Sequence, residues 1–281
     1  MRLSRRTFLT GLTAAAVPDL LSANNRRLDM RIDPAGFGQA RPEDIRAVVV
    51  SSSEEIWKHC PNTQFDTPGF HIFHRDDTPI TNFLRTDDNR IAIGLATHNT
   101  FWAQYAFQFA HEFCHALAGH SNDWRRAWRT PAYANKWLEE SICETASLFS
   151  LRAMGNTWKT AAPYPNWRSF APHLTDYAQK RLDEPKHRLP DGVAFPDWFR
   201  ANEAELRAKG TVRERNCIIA AQLLPLFEAE PRGWEAMTAF NLGKRVATKP
   251  LGDHFVEWKA NARPELGGFV GKVAAVFAVK V

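Results

Sequence analysis

Phe101-Trp102-Ala103-Gln104-Tyr105-Ala106-Phe107-Gln108-Phe109-Ala110 runs directly into His111-Glu112-Phe113-Cys114-His115-Ala116-Leu117-Ala118. The stretch is apolar on most sides, which predicts a buried helix. On such a helix His111 and His115, four residues apart, project from one side about one turn from each other. Buried imidazoles need partners or a ligand, because an unpaired polar group in the interior costs free energy. Two imidazole nitrogens at this spacing can share one metal ion. Glu112, next to the first, can address a water on that ion. The H-E-x-x-H pattern therefore predicts a Zn2+ centre with His111 and His115 as ligands and Glu112 as general base.

Catalytic zinc usually takes three protein ligands. The longer pattern H-E-x-x-H-x-x-G-x-x-H does not supply the third, since Gly119 and His120 each miss their place by one residue. Trp137-Leu138-Glu139-Glu140-Ser141-Ile142-Cys143-Glu144 is the better source. Glu140 and Glu144 are four apart and share a helical face with Trp137 and Leu148. One carboxylate can bind the ion, and the other can accept the outer N–H of a ligand histidine and fix its tautomer. Glu139, His120 and Asp123 are substitutes for Glu140 in the ligand role.

With both motifs in view, the chain resembles the gluzincin metallopeptidases, the group of the thermolysin-like proteases and the M1-type aminopeptidases. Their second motif reads roughly N-E-x-x-x-D or W-L-N-E-G. The resemblance covers the chain from the strand before His111 to a helix ending near Gly155. It implies Glu140 as third ligand and Glu144 as the acid behind a ligand histidine. It also implies an α+β fold: a zincin-like N-terminal lobe, with a small twisted sheet and the metal-binding helix, then a mainly α-helical lobe closing one wall of the cleft. There are two departures. The 24 residues between His115 and Glu140 exceed the family's usual spacing, and Glu139 and Ser141 replace the usual Asn or Gly neighbours.

The implied activity is zinc-dependent hydrolysis of a peptide or protein substrate. In related families a Tyr or His of the second lobe stabilises the oxyanion. Tyr177, Arg213, Arg215 and His173 are the candidates for an oxyanion or substrate contact. The alternative is a zincin-like scaffold that binds metal or a partner without turnover. Glu112 weighs against it, because a pure binding site has no use for a carboxylate beside the water.

Ser4-Arg5-Arg6-Thr7-Phe8-Leu9 carries a twin-arginine pair ahead of an apolar stretch ending at Val17. That stretch is shorter than the roughly 20 residues a bilayer span needs. Leu21-Ser22-Ala23 offers a cleavage site. The start resembles a Tat export signal. It predicts a signal peptide over 1–23, the Tat translocase as partner during export, and a periplasmic or secreted product, membrane-anchored if the segment is kept. The remainder divides into a metal-binding lobe over 24–155 and a helical lobe over 156–281. No later segment has the continuous apolar run of a membrane span.

The formal charge is +5. Loss of 1–23 removes Arg2, Arg5, Arg6 and Asp19 and leaves +3, a mild excess that does not argue for nucleic acid. The densest basic cluster is Arg125, Arg126 and Arg129, in the connection between the two ligand helices. Four cysteines lack C-x-x-C spacing, which disfavours a cysteine-zinc or redox site. Cys114 and Cys143 sit beside ligands on facing helices, where a bridge or two free thiols are both open. Ten scattered tryptophans suggest packing rather than a carbohydrate platform.

Alternation over 28–33 predicts a strand, followed by a helix from Pro42 to His59 with Ile45, Val48, Val49 and Ile56 inward. Phe70–His74 and Arg90–Ala96 read as further strands, with turn residues at Asp76, Asp77, Thr78 and Pro79. The resemblance makes the strand at 91–96 the sheet edge over the cleft. An edge has unpaired backbone groups to which an extended peptide can add. His71 and His74, at odd spacing, face opposite ways. Thr157–Arg168 reads as loop. Helices are predicted at Pro172–Leu182, Pro196–Lys209, Val212–Glu230, Trp234–Asn241 and Asp253–Asn261, with a closing helix from Phe269 to Val281.

Overall fold

Residues 28–63, 69–119, 134–244 and 246–281 are described by a computed structural model, with side chains except at Phe83 and Leu84. The twin-arginine segment and the cleavage site expected after it, His120, Asp123 and the Arg125, Arg126, Arg129 cluster lie outside the described residues.

The chain has an α+β fold, mostly helical, with one four-stranded sheet. Strands β1 (Met30–Ile32), β2 (Phe70–His74), β3 (Ile80–Arg85) and β4 (Ile91–Leu95) lie in the order β1-β2-β4-β3. The first three in that order are parallel, and β3 runs antiparallel to β4. All five residues of β4 are buried, as befits a strand with neighbours on both sides. The edge assigned to 91–96 is thus corrected: β3 is the edge. Its sequence, Ile80-Thr81-Asn82-Phe83-Leu84-Arg85, breaks alternation, and its pairing with β4 shifts register between Thr81 and Arg85. An irregular edge strand gives no period-2 signal, so only the turn before it was legible.

Helix α1 (Pro42–Trp57) starts on a proline, with Glu43 and Asp44 in the first turn, where a fixed φ and negative charge are favoured. Ile45, Val48, Val49 and Ile56 are fully buried, as their spacing predicts. Helices α2 (Trp102–Gly119) and α3 (Lys136–Ala161) pack against α1 and each other. Small hydroxyls stitch these contacts: Ser52 donates to the Ala106 carbonyl at 2.8 Å, Ser147 to the Phe107 carbonyl at 2.8 Å, and Ser150 to the Ser52 carbonyl at 2.9 Å. Each hydroxyl satisfies a buried polar group while letting two backbones approach.

Helix α3 does not stop near Gly155 but continues to Ala161. A side chain at Gly155 would run into Thr175 and the Ala171 carbonyl. This glycine admits a crossing helix rather than ending its own. The expected boundary at 155/156 therefore falls inside α3. Helices α4 (Ala171–Asp183), α5 (Phe195–Ala208), α6 (Arg213–Ala229), α7 (Leu251–Asn261) and α8 (Gly267–Val276) follow. The loop expected over Thr157–Arg168 is corrected, since α3 covers its first five residues and a 3-10 helix at Pro165–Phe170 takes its end; 3-10 turns at Pro231–Ala239 replace the helix expected at Trp234–Asn241.

One apolar core runs from Leu28 to Phe277 and includes the fully buried Trp137, Trp158, Trp234 and Trp258. The long central α3 touches α2, α4 and α6, so it fixes where their polar faces meet. All four cysteines are free and buried. No helix among the described residues is long and apolar enough to cross a membrane.

Candidate metal centre

The two ligand motifs meet where α2 crosses α3. His111 Nε2 lies 3.5 Å from Glu140 Oε2, and His115 Nε2 lies 3.6 Å from the same oxygen. The ring centroids are 5.0 Å apart. The outer nitrogens also face acids. His115 Nδ1 is 2.8 Å from Glu139 Oε1, and His111 Nδ1 is 3.3 Å from Glu144 Oε2. Both rings thus aim Nε2 inward, with a carboxylate behind each to hold the Nδ1–H tautomer. Asn241 donates to the second oxygen of Glu139 at 2.9 Å. The Cys217 thiol donates to the second oxygen of Glu144 at 3.1 Å, and Arg181 and Arg213 each face that oxygen at 3.6 Å.

His111, His115 and Cys143 have potential ligand atoms within 4.8 Å of one another, a cluster that could hold a metal ion. Cys143 and Glu140 thus compete for the third place. Burial, with the adjacent Cys114, holds the Cys143 thiol well above its usual range, so it stays neutral. Glu140 is an anion: burial would raise its carboxyl, but the two imidazoles outweigh that and hold it well below the usual range. An ionised oxygen shared by both rings is the better donor than a neutral thiol.

Burial alone would lower the His111 pKa, but Glu140 and Glu144 reverse this and push it up to about 9. His115 is raised well above its usual value, with burial again opposed by Glu140 and Glu139. Glu144 is held down to about 2 by His111 and Arg213 against the effect of burial. Without an ion, the acids of α3 keep protons on the rings. A divalent cation would replace those two charges, and ligation needs neutral imidazoles. His111 is protonated below about 9, so apparent metal affinity falls as pH drops beneath that value. At pH 7, uptake of one ion is expected to release about two protons. Titration calorimetry in buffers of different ionisation enthalpy measures this; no release would remove the imidazoles from the ligand set.

Glu112 lies beside this cluster and is only 5% exposed. Its Oε2 accepts a hydrogen bond from Thr81 Oγ1 at 2.8 Å, and the same hydroxyl lies 2.8 Å from the Glu112 carbonyl. Thr81 belongs to the edge strand, so β3 holds the acid at both its backbone and its side chain. A cleft of about 580 Å³ opens here. Thr78 to Thr81 line one part of it, His111, Glu112, His115 and Glu140 another, and Thr211, Arg213 and Asn216 a third.

The remaining candidates divide. Arg213 lines the cleft. Tyr177 does not; it packs edge-on against Phe107, a lining residue, with centroids 5.8 Å apart. Arg215 is corrected: two residues along α6 from Arg213, it faces away and pairs with Glu205. His173 is corrected as well: it is exposed on α4 and packs on Phe170, with centroids 5.1 Å apart. Glu139, a substitute ligand by sequence, instead holds the outer nitrogen of His115. Thr81, Arg181, Cys217 and Asn241 escaped the sequence reading. Each is a single residue far along the chain from the site it joins, with no spacing to mark it.

Compared with protein-family models, curated proteins and solved structures, the chain matches none.

Proposed function

We propose that this chain is a zinc-dependent metallohydrolase of the gluzincin type, cleaving peptide bonds. The observation that carries the proposal is the convergence of two imidazole nitrogens on one oxygen of Glu140, at 3.5 and 3.6 Å. Bonds of 2.0–2.1 Å to a tetrahedral zinc separate neighbouring ligands by about 3.3 Å, so these spacings suit one ion. His111, His115 and Glu140 would hold it, with Glu144 and Glu139 behind the rings. When bound, zinc supplies a Lewis acid that polarises the scissile carbonyl and acidifies water.

The rest is the work of side chains. Glu112 accepts a proton from the attacking water as the new C–O bond forms. It then delivers that proton to the amine nitrogen as the C–N bond breaks. One water is consumed, and one carboxylate and one amine are released. Thr81 keeps the accepting oxygen at a fixed position through this exchange. The antiparallel edge β3, with Thr78 to Thr81 on the cleft, supports a peptide as substrate, because an extended chain can add to an edge strand. A zincin-like ancestry of the sheet and α2, and export of the folded chain through the Tat translocase, belong to the same proposal. The latter rests on Ser4 to Leu9 alone.

Incubation of the zinc-loaded protein with a mixed peptide library tests the activity. Cleavage that stops on chelation and returns with zinc is the expected result. Stoichiometric zinc without any cleavage would instead indicate a binding scaffold. Thr81→Val is expected to lower kcat about tenfold with little change in KM, since it frees the base without touching the ligands. Thr81→Ser keeps the hydroxyl and should restore most of the rate. Equal kcat in Thr81→Val and wild type would show that the hydrogen bond serves folding only.

A further inference from the structure

Besides the two imidazoles, Lys136 and Arg213 are the basic side chains that line the cleft among its described residues. Lys136 Nζ is 3.5 Å from Glu140 Oε1, on the metal cluster. Arg213 is different. Its side chain is 57% exposed, and its Nε is 3.6 Å from Glu144 Oε1, beyond hydrogen-bond reach. Among the described residues its guanidinium makes no hydrogen bond.

Glu144 has little left to offer it. One oxygen faces His111, and the other takes the Cys217 thiol and faces Arg181 as well. Arg181 is mostly buried and donates to Glu184 at 2.7 Å through Nη1 alone; its Nε and Nη2 have no hydrogen-bond partner among the described residues. Both guanidinium carbons lie over the Phe107 ring, Arg181 at 5.4 Å and Arg213 at 5.6 Å from its centroid. Phe107 lines the same cleft. An aromatic face under a planar cation orients it and leaves its in-plane donors open. The Arg213 guanidinium on this wall is therefore oriented and short of an acceptor. A planar fork of N–H donors matches a carboxylate, which it can bind through two parallel hydrogen bonds.

We propose that Arg213 determines specificity by receiving a carboxylate of the substrate, which rests on the hydrolase reading of this same cleft. The distance limits where that carboxylate sits. Arg213 reaches His111 through Glu144 alone, 3.6 Å to one of its oxygens and 3.3 Å from the other, and an extended residue spans roughly 3.3–3.6 Å. The substrate carboxylate therefore lies within about three residues of the cleaved bond. A free chain terminus and an Asp or Glu side chain offer the same chemistry there.

The test uses the full-length, zinc-loaded protein and three randomised hexapeptide pools. One pool has a free C-terminal carboxylate and no internal acid. The second has an amidated terminus and one Asp or Glu. The third has an amidated terminus and no acid. Retention on ultrafiltration and cleavage are both read by mass spectrometry. One carboxylate pool is expected to be retained and cleaved about tenfold better than the neutral pool, and the pool that wins names the source. In Arg213→Gln the ratio of that pool to the neutral pool should fall to about one, whatever the absolute rate, while Arg213→Lys keeps part of it. Equal handling of all three pools by the wild-type protein overturns the assignment. So does a preference that survives Arg213→Gln. Carboxylate-dependent retention with no cleavage of any pool supports the assignment and overturns the hydrolase reading instead.

Discussion

Glu140→Ala is expected to emerge from dialysis without zinc, whereas the wild-type protein keeps about one equivalent. Removing this carboxylate takes away the one ionised oxygen that, among the described residues, both Nε2 atoms face. It also leaves two imidazoles backed by Glu139 and Glu144, with no anion between their inner nitrogens to complete the shell of an ion. Two neutral nitrogens alone make a weak site, so the affinity should fall by more than about a hundredfold. Cys143 is the control, because its sulfur lies within 4.8 Å of both rings. Its buried thiol must give up a proton to bind, at a position where carboxylates already crowd the ion. Cys143→Ser should therefore keep its zinc. If Glu140→Ala holds a full equivalent and the double variant with Cys143→Ser does not, the sulfur is the third ligand. If both hold it, neither residue is. Metal content by plasma emission, with circular dichroism to confirm folding, decides among these results.

Glu112→Gln should have the opposite signature: zinc retained, turnover lost by about 10²- to 10⁴-fold. The amide matches the carboxylate in shape, and its oxygen can still accept from Thr81. It cannot take a proton from water. Glu112 is 5% exposed and contributes no atom to the convergence on Glu140 Oε2, so the ligand set is untouched. The loss belongs in kcat and kcat/KM together, because the proton is shared only in the transition state. Wild-type activity in the variant would end the general-base role. Together the two substitutions separate holding the ion from using it.

Much of this site was legible before any fold was known. Four-residue spacing places His111 with His115 and Glu140 with Glu144, because a helix repeats every 3.6 residues wherever it sits. The apolar run before His111 marked α2 as buried, and buried polar groups need partners. The β2 and β4 strands and most of the helical stretches read correctly for the same local reasons. Gly155 misled, because a glycine that ends a helix and one that admits a neighbour look alike in sequence.

What stayed hidden depends on contacts between distant segments. No local pattern says that β3 pairs beyond β4, so the edge was given to the wrong strand and Thr81 went unnoticed. Nor does spacing say which of three glutamates on α3 meets an inner nitrogen and which an outer one. Chain periodicity alone determined that two helices each carry a set of metal-seeking side chains on one face. The rotation and crossing of those helices, set by the core packed around α3, decided that Glu140 faces both rings and that Glu139 and Glu144 stand behind them. Side-chain period is a property of a few consecutive residues, whereas the meeting of two faces is a property of everything that packs between them.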